Sequence, residues 1–287
     1  MTDPAAFSFV QFEFASAIGP PDGRYVMRTP GQAEADRVLV LQTLGAIQRH
    51  RVRGRRPRSA APEPEPVSVS TTRATVIAAQ PFASTEAATT WLERGDFEEH
   101  ARAGLTALNQ AIAAHRIAAQ DPSARDLSAE QALVIRAGYG AGEQVADGRW
   151  SAARELTPAA GKRPRREAAL RSQERLAALL GGRDRALACE EPTLAARAAM
   201  DGGRLRVAAL MLDVALRAAL TELPASGETA RLPERIAELS QQRATVAAAA
   251  ESALRGELDE DQEAGVRHTL ARLEAALRAR SAAGPWR

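Results

Sequence analysis

Residues 7–14 read Phe-Ser-Phe-Val-Gln-Phe-Glu-Phe. Apolar and polar residues alternate, which is the period of a β-strand. The parity changes between Phe9 and Val10, as it does at a bulge or in a strand buried on both faces. Four of the six phenylalanines lie here, so this segment holds much of the aromatic core.

Outward from it, Pro20-Pro21-Asp22-Gly23 is a turn signal. Tyr25–Met27 and Val38–Leu41 are short strand-like runs, and Val67–Ile77 is β-branched and alternating. About four strands in an antiparallel sheet are expected over residues 1–80. An insertion interrupts them. Arg49, Arg51, Arg53, Arg55, Arg56 and Arg58 crowd into ten residues, followed by Pro62-Glu63-Pro64-Glu65-Pro66, a stiff acidic spacer. Residues 49–66 read as an exposed loop, and its six arginines are candidates for binding nucleic acid or an acidic partner.

From about residue 84 the apolar period changes to 3.6. Ser84 precedes a helix containing Trp91, and residues 97–119 make a second one. Ser128 reads as the cap of a third, interrupted by Gly138 and Gly140, and residues 141–146 and 150–156 flank the turn Asp147-Gly148. Residues 158–166 form a basic linker containing Lys162 and Arg166. Further helices are expected over 167–180 (closed by Gly181-Gly182), 184–200, 204–222, 233–254 and 260–280. In the last, Val266, Leu270, Leu273 and Leu277 are spaced 4, 3, 4, a coiled-coil-like seam for a partner helix. The expected class is α+β, mostly α: a small antiparallel N-terminal sheet, then stacked α-helical hairpins over 84–157, 167–223 and 231–281.

Composition supports closely packed helices. About a fifth of the 287 residues are Ala and aromatics are 4%. Lys162 is the only lysine, and the excess of Ala, Arg, Gly and Pro is that of a GC-rich bacterial genome. Arginine is therefore partly a codon effect, and a net charge of +2 does not by itself imply nucleic acid. The N-terminal Met-Thr-Asp-Pro has no basic region, and no run reaches the roughly 18 apolar residues of a membrane span. The expected location is cytoplasmic, with no membrane span.

Three turns look alike. Gly95-Asp96-Phe97 follows Trp91-Leu92, Asp147-Gly148-Arg149-Trp150 follows Gln144-Val145, and Asp201-Gly202-Gly203 follows Ala198-Ala199. Each joins an expected helix to one with small residues, at intervals of about 53 residues. The pattern resembles the inner turn of tetratricopeptide-type helical pairs, and the resemblance implies stacked hairpins that bind a protein partner.

No chemistry stands out. His100 and His115, if on one helix, would be roughly 22 Å apart, too far for one metal ion. Cys189 is the only cysteine and is followed by Glu190 and Glu191, which disfavour a thiolate. Gly138-Tyr139-Gly140-Ala141-Gly142 is neither a dinucleotide nor a P-loop motif. No catalytic residue, metal ligand or cofactor is assigned. Three functions stay open: a non-catalytic helical interaction or scaffold protein that binds a protein partner or itself; a nucleic-acid- or ribosome-associated protein acting through Arg49–Arg58; and an enzyme whose site, for example one joining Tyr139 and Trp150, is scattered in sequence.

Overall fold

Strand β1 (Ala6–Phe14) is the hub of a six-stranded antiparallel sheet. A computed structural model describes residues 5–28, 33–45, 70–156, 166–224 and 232–282. The other strands are β2 (Gly23–Met27), β3 (Arg37–Leu44), β4 (Thr71–Ala78), β5 (Ala132–Ala141) and β6 (Ala152–Leu156), in the order β2-β3-β4-β1-β5-β6. The chain divides into two units, residues 1–161 and 162–287.

The phenylalanine strand is buried on both faces. Val10, Phe12 and Phe14 enter a core with Leu39, Leu41, Ala74, Val76, Ile135 and Ala137. This face is covered by α1 (Thr85–Arg94) and α2 (Phe97–Ala119), which adds Ala107, Leu108 and Ile112. Gly104 lets α2 come close: a Cβ there would stand 3.2 Å from Val10. The irregularity lies between Glu13 and Phe14, in the pairing with β5, and not at Phe9 and Val10.

The opposite face grades from apolar to charged. One cross-strand row is Val38, Ile77, Phe9, Gly138 and Ala153. The next is Val40, Thr75, Gln11, Arg136 and Glu155, and the third is Gln42, Arg73, Glu13 and Val134. Gln11 and Thr75 are fully buried, and Gln11 Nε2 donates to Thr75 Oγ1 at 2.9 Å. Arg136 donates to Gln11 Oε1 at 3.0 Å, and Arg73 to Glu13 Oε1 at 2.9 Å. A buried polar group of this kind is tolerable only because each member is paired.

Residues 142–150, between β5 and β6, lie across this face as a strap. All five strands from β2 to β5 hold it. Arg24 donates to Glu143 at 2.6 Å and Gln42 to Asp147 at 2.8 Å. Arg73 reaches the Ala146 carbonyl at 3.4 Å, and Gln11 the Val145 carbonyl at 3.5 Å. Arg136 sits 5.4 Å over the Trp150 ring, which is 5.7 Å from Phe9. Val145, Phe9 and Ile77 close a small second core beneath.

The helices expected across 127–156 are corrected here. Ser128 does form a capping box, with Gln131, but it caps a single 3-10 turn, Ala129–Gln131, and the chain then enters β5. Residues 142–147 are a 3-10 turn and 152–156 are β6, so the expected four strands become six. The glycines explain the change. A Cβ at Gly138 would meet the Ala152 carbonyl at 2.4 Å, and one at Gly140 would meet Val145 at 2.7 Å. They allow strand and strap to approach, and they pack against protein.

The second unit is helical: α3 (Arg166–Leu180), α4 (Glu190–Asp201), α5 (Leu205–Glu222), α6 (Leu232–Arg255) and α7 (Glu260–Ala282). Helices α4 to α7 form a bundle in which α7 returns to α4, and α3 rests on α7. The core is lean: Ala196, Ala199, Ala208, Ala209, Ala215, Ala219, Ala249, Ala253 and Ala276 surround Leu212, Leu216, Leu239, Leu270 and Leu273. Alanine at these positions lets the backbones approach, as its abundance predicts. The glycine turns at 95 and 202 join helix to helix, whereas Gly148 leads into β6.

The class is thus α+β and mostly α, with an antiparallel N-terminal sheet followed by helical hairpins.

Candidate interaction surface

Helix α5 has charges only at Arg206, Asp213 and Arg217 between residues 205 and 221. At 100° per residue these share one strip roughly 40° wide. Ala208, Ala209, Leu212, Ala215, Leu216 and Ala219 face inward and are buried. Most of the remaining surface is also apolar. Val207 and Val214 are 43% and 50% exposed, and Leu210, Met211 and Ala218 beside them are half-buried. A helix in a two-layer protein ordinarily shows a polar outer face; one that is apolar almost all round is normally covered.

Other large apolar side chains are open on the same unit. Leu194 on α4 is 66% exposed, and Leu176, Leu180 and Leu254 are exposed as well. Arg206 Nε donates to the Ala253 carbonyl at 2.8 Å, which fixes the start of α5 beside the end of α6. Leu254 and Val207 therefore belong to the same end of the bundle.

The seam expected on the last helix is not part of this surface. Val266, Leu270 and Leu273 are buried in the unit's own core, and Leu277 packs against it. Partners are already present within the chain, on α4, α5 and α6. The 4, 3, 4 spacing reported an apolar stripe correctly; the expectation that it serves another chain is corrected.

Charged residues near α3 and α7 pair among themselves. Arg175 contacts Asp184 at 3.2 Å and Glu190 at 2.5 Å, and Arg280 contacts the same two carboxylates at 3.6 and 3.5 Å. Two guanidiniums and two carboxylates neutralise each other, with Arg280 and Asp184 almost fully buried. The set fixes α3 and the end of α7 to the start of α4.

Cys189 lies fully buried just before α4. Burial, then the nearby Glu222 and Glu190 carboxylates, push its thiol up to about 12. Glu222 accepts from the backbone N–H of Ala188 and of Cys189, at 3.1 and 3.2 Å, so this carboxylate caps the helix start. Such a thiol is not a nucleophile at neutral pH.

Tyr139 and Trp150 are not brought together. The Tyr139 hydroxyl is 3.1 Å from that of Thr89 on α1, whereas the ring of Trp150, the last residue of the strap, lies by Phe9 and Arg136 on the other side of the sheet. Arg49, Arg51, Arg53, Arg55, Arg56 and Arg58 lie outside the described residues, as do 162–165. The described strands on either side of the arginines, β3 and β4, pair with Leu44 opposite Thr71. Among the described residues no group of three His, Cys, Asp or Glu is arranged to hold a metal ion, and no helix is long and apolar enough to cross a membrane.

No protein-family model, curated protein or solved structure matches the chain. The surface of α5 was missed in the sequence because an apolar helix reads simply as core. The signal was present in the confinement of three charges to one strip.

Proposed function

We propose that this is a non-catalytic interaction protein whose helical unit docks a protein partner or a second copy through the outward apolar line of α5. The observation that carries the reading is the pair Val207 and Val214, exposed one above the other on a helix whose opposite face already fills the core. Apolar area of this kind is stabilised by being covered, at about 25 cal/mol per Å². Sedimentation velocity over a concentration series tests it, comparing the parent chain with Val207→Glu/Val214→Glu. Association in the parent that the variant lacks is expected. The reading fails if the parent stays monomeric throughout and a photo-crosslinker placed at 218, beside the two valines, yields no adduct that the double variant loses.

A second reading, nucleic-acid or ribosome association, rests on six arginines carried between paired strands. Such binding would be largely sequence-blind and salt-dependent. Changing Arg51, Arg53, Arg55 and Arg56 to Ser should abolish binding to a mixed RNA or DNA probe at low salt. Equal retention by parent and variant would remove this reading.

A further inference from the structure

The indole N–H of Trp91 donates to His100 Nε2 at 2.7 Å. An indole nitrogen can only donate, so Nε2 must be the bare nitrogen of a neutral imidazole with its proton on Nδ1. The two rings also lie against each other, with centroids 5.0 Å apart, and Trp91 is flanked by Phe82 and Phe97 at 5.5 Å each.

The bond spans the turn between α1 and α2. Gly95 N–H donates to the Trp91 carbonyl at 2.7 Å, and a Cβ on Gly95 would stand 2.5 Å from that oxygen, so the turn is as tight as glycine permits. Helix α1 buries little of its own surface. Ala88 is its one buried residue. Besides the aromatic group, its ties include the Thr89–Tyr139 hydroxyl contact and Arg154, which donates to the Leu92 carbonyl at 3.5 Å. Short helices with so little burial open locally at small free-energy cost.

We propose that the Trp91–His100 hydrogen bond is a pH-sensitive latch, holding α1 on the sheet while the imidazole is neutral and releasing it on protonation. Protonation would place an N–H of His100 against the N–H of Trp91. The charged residues within one helical turn of the two rings in sequence are Glu93 and Arg94 of α1, Asp96, and Glu98, Glu99 and Arg102 of α2, and Arg154 of β6 reaches the neighbouring Phe97 ring. Asp96 is engaged as the helix cap, accepting from Glu99 N–H at 3.0 Å, and the Arg154 guanidinium lies 5.3 Å over the Phe97 ring. The latch contributes while Nε2 is bare and is lost when that nitrogen takes a proton, so its contribution falls on acidification.

Two readouts on the full chain test this at the two ends of a range from about pH 8 to about pH 5: the indole 15N–1H resonance of Trp91, assigned with Trp91→Phe, and amide exchange of residues 85–94 relative to α2 after correction for intrinsic rates. Acidification should shift the indole resonance away from its hydrogen-bonded position and raise α1 opening about five- to tenfold, the equivalent of one hydrogen bond. His100→Gln, which can still accept and does not titrate, should keep α1 closed at both ends. His100→Phe, which cannot accept, should leave it equally open at both. An indole resonance and α1 exchange unchanged by acidification overturn the proposal. So does a pH response in His100→Gln as large as that of the parent.

Discussion

Arg197 on α4 grips Glu274 on α7 through two parallel hydrogen bonds, Nε to Oε1 at 2.7 Å and Nη2 to Oε2 at 2.9 Å. A fork of this geometry is the form of ion pair that contributes most, because it orders two groups in one plane. It joins the first and last helices of the bundle. Both side chains keep some solvent contact, at 33% and 22% exposure, so water screens part of the attraction. Arg197→Ala should destabilise the helical unit by about 1 kcal/mol in urea unfolding. Arg197→Lys should recover less than half, since an ammonium cannot fork. A double-mutant cycle with Glu274→Ala that shows no coupling would remove the pair from the account of the fold.

Gly140→Ala tests the strap. The added methyl would press on Val145 and on the Trp150 backbone, at 2.7 and 3.0 Å. Overpacking of this kind costs about 1–3 kcal/mol. The expected signs are a red shift of Trp150 emission and faster amide exchange over 142–150, with α2 unaffected. An alanine variant as stable as the parent would mean that the strap yields without loss.

Leu270 decides between an internal and an external role for the last helix. It is fully buried. Leu270→Ala should cost about 3 kcal/mol of stability in a dilute, monomeric sample. Val214→Ala, on the open line of α5, should change it by no more than about 0.5 kcal/mol. Denaturant melts of the two variants side by side give the answer, and reversed magnitudes would exchange the two surfaces.

The Cys189 thiol gives a pH dependence with a definite sign. In the unfolded chain it ionises near 9.0, and in the fold it is pushed up to about 12. A raised value means that the folded state favours the protonated thiol. The associated stability is complete below about pH 9 and is lost as pH rises toward 12. Cys189→Ala should lack that alkaline loss in a pH series of urea melts. Thiol labelling at pH 8 should be slow in the native protein and fast in urea.

Local signals carried much of the fold. Ser84 was legible as a cap because its hydroxyl competes for the Ala87 N–H within one turn, and it accepts that bond at 3.1 Å. Helix α2 spans Phe97–Ala119, the range its period implies. Gly182 ends the turn after α3 with φ +66°, a left-handed conformation that favours glycine. By contrast, Ala-Leu-Val-Ile-Arg-Ala over 132–137 suits either a helix or a strand. Its choice depends on β1, more than a hundred residues earlier, whose open edge supplies the ladder from Ala6–Ala141 to Phe14–Ala132.

The sequence by itself determined the two periods, the caps and turns, the alanine-rich helices and the phenylalanine strand that enters two cores. Those features rest on contacts within a few residues, so a local stretch contains all the terms that decide them. Tertiary structure alone decided the strand at 132–141, the strap across the charged row, the burial of Val266, Leu270, Leu273 and Leu277, and the exposure of Val207 and Val214. The physical reason is common to all four. Ladder hydrogen bonds and apolar burial are properties of pairs of surfaces, and an apolar stripe in a sequence states that it must be covered without stating by what.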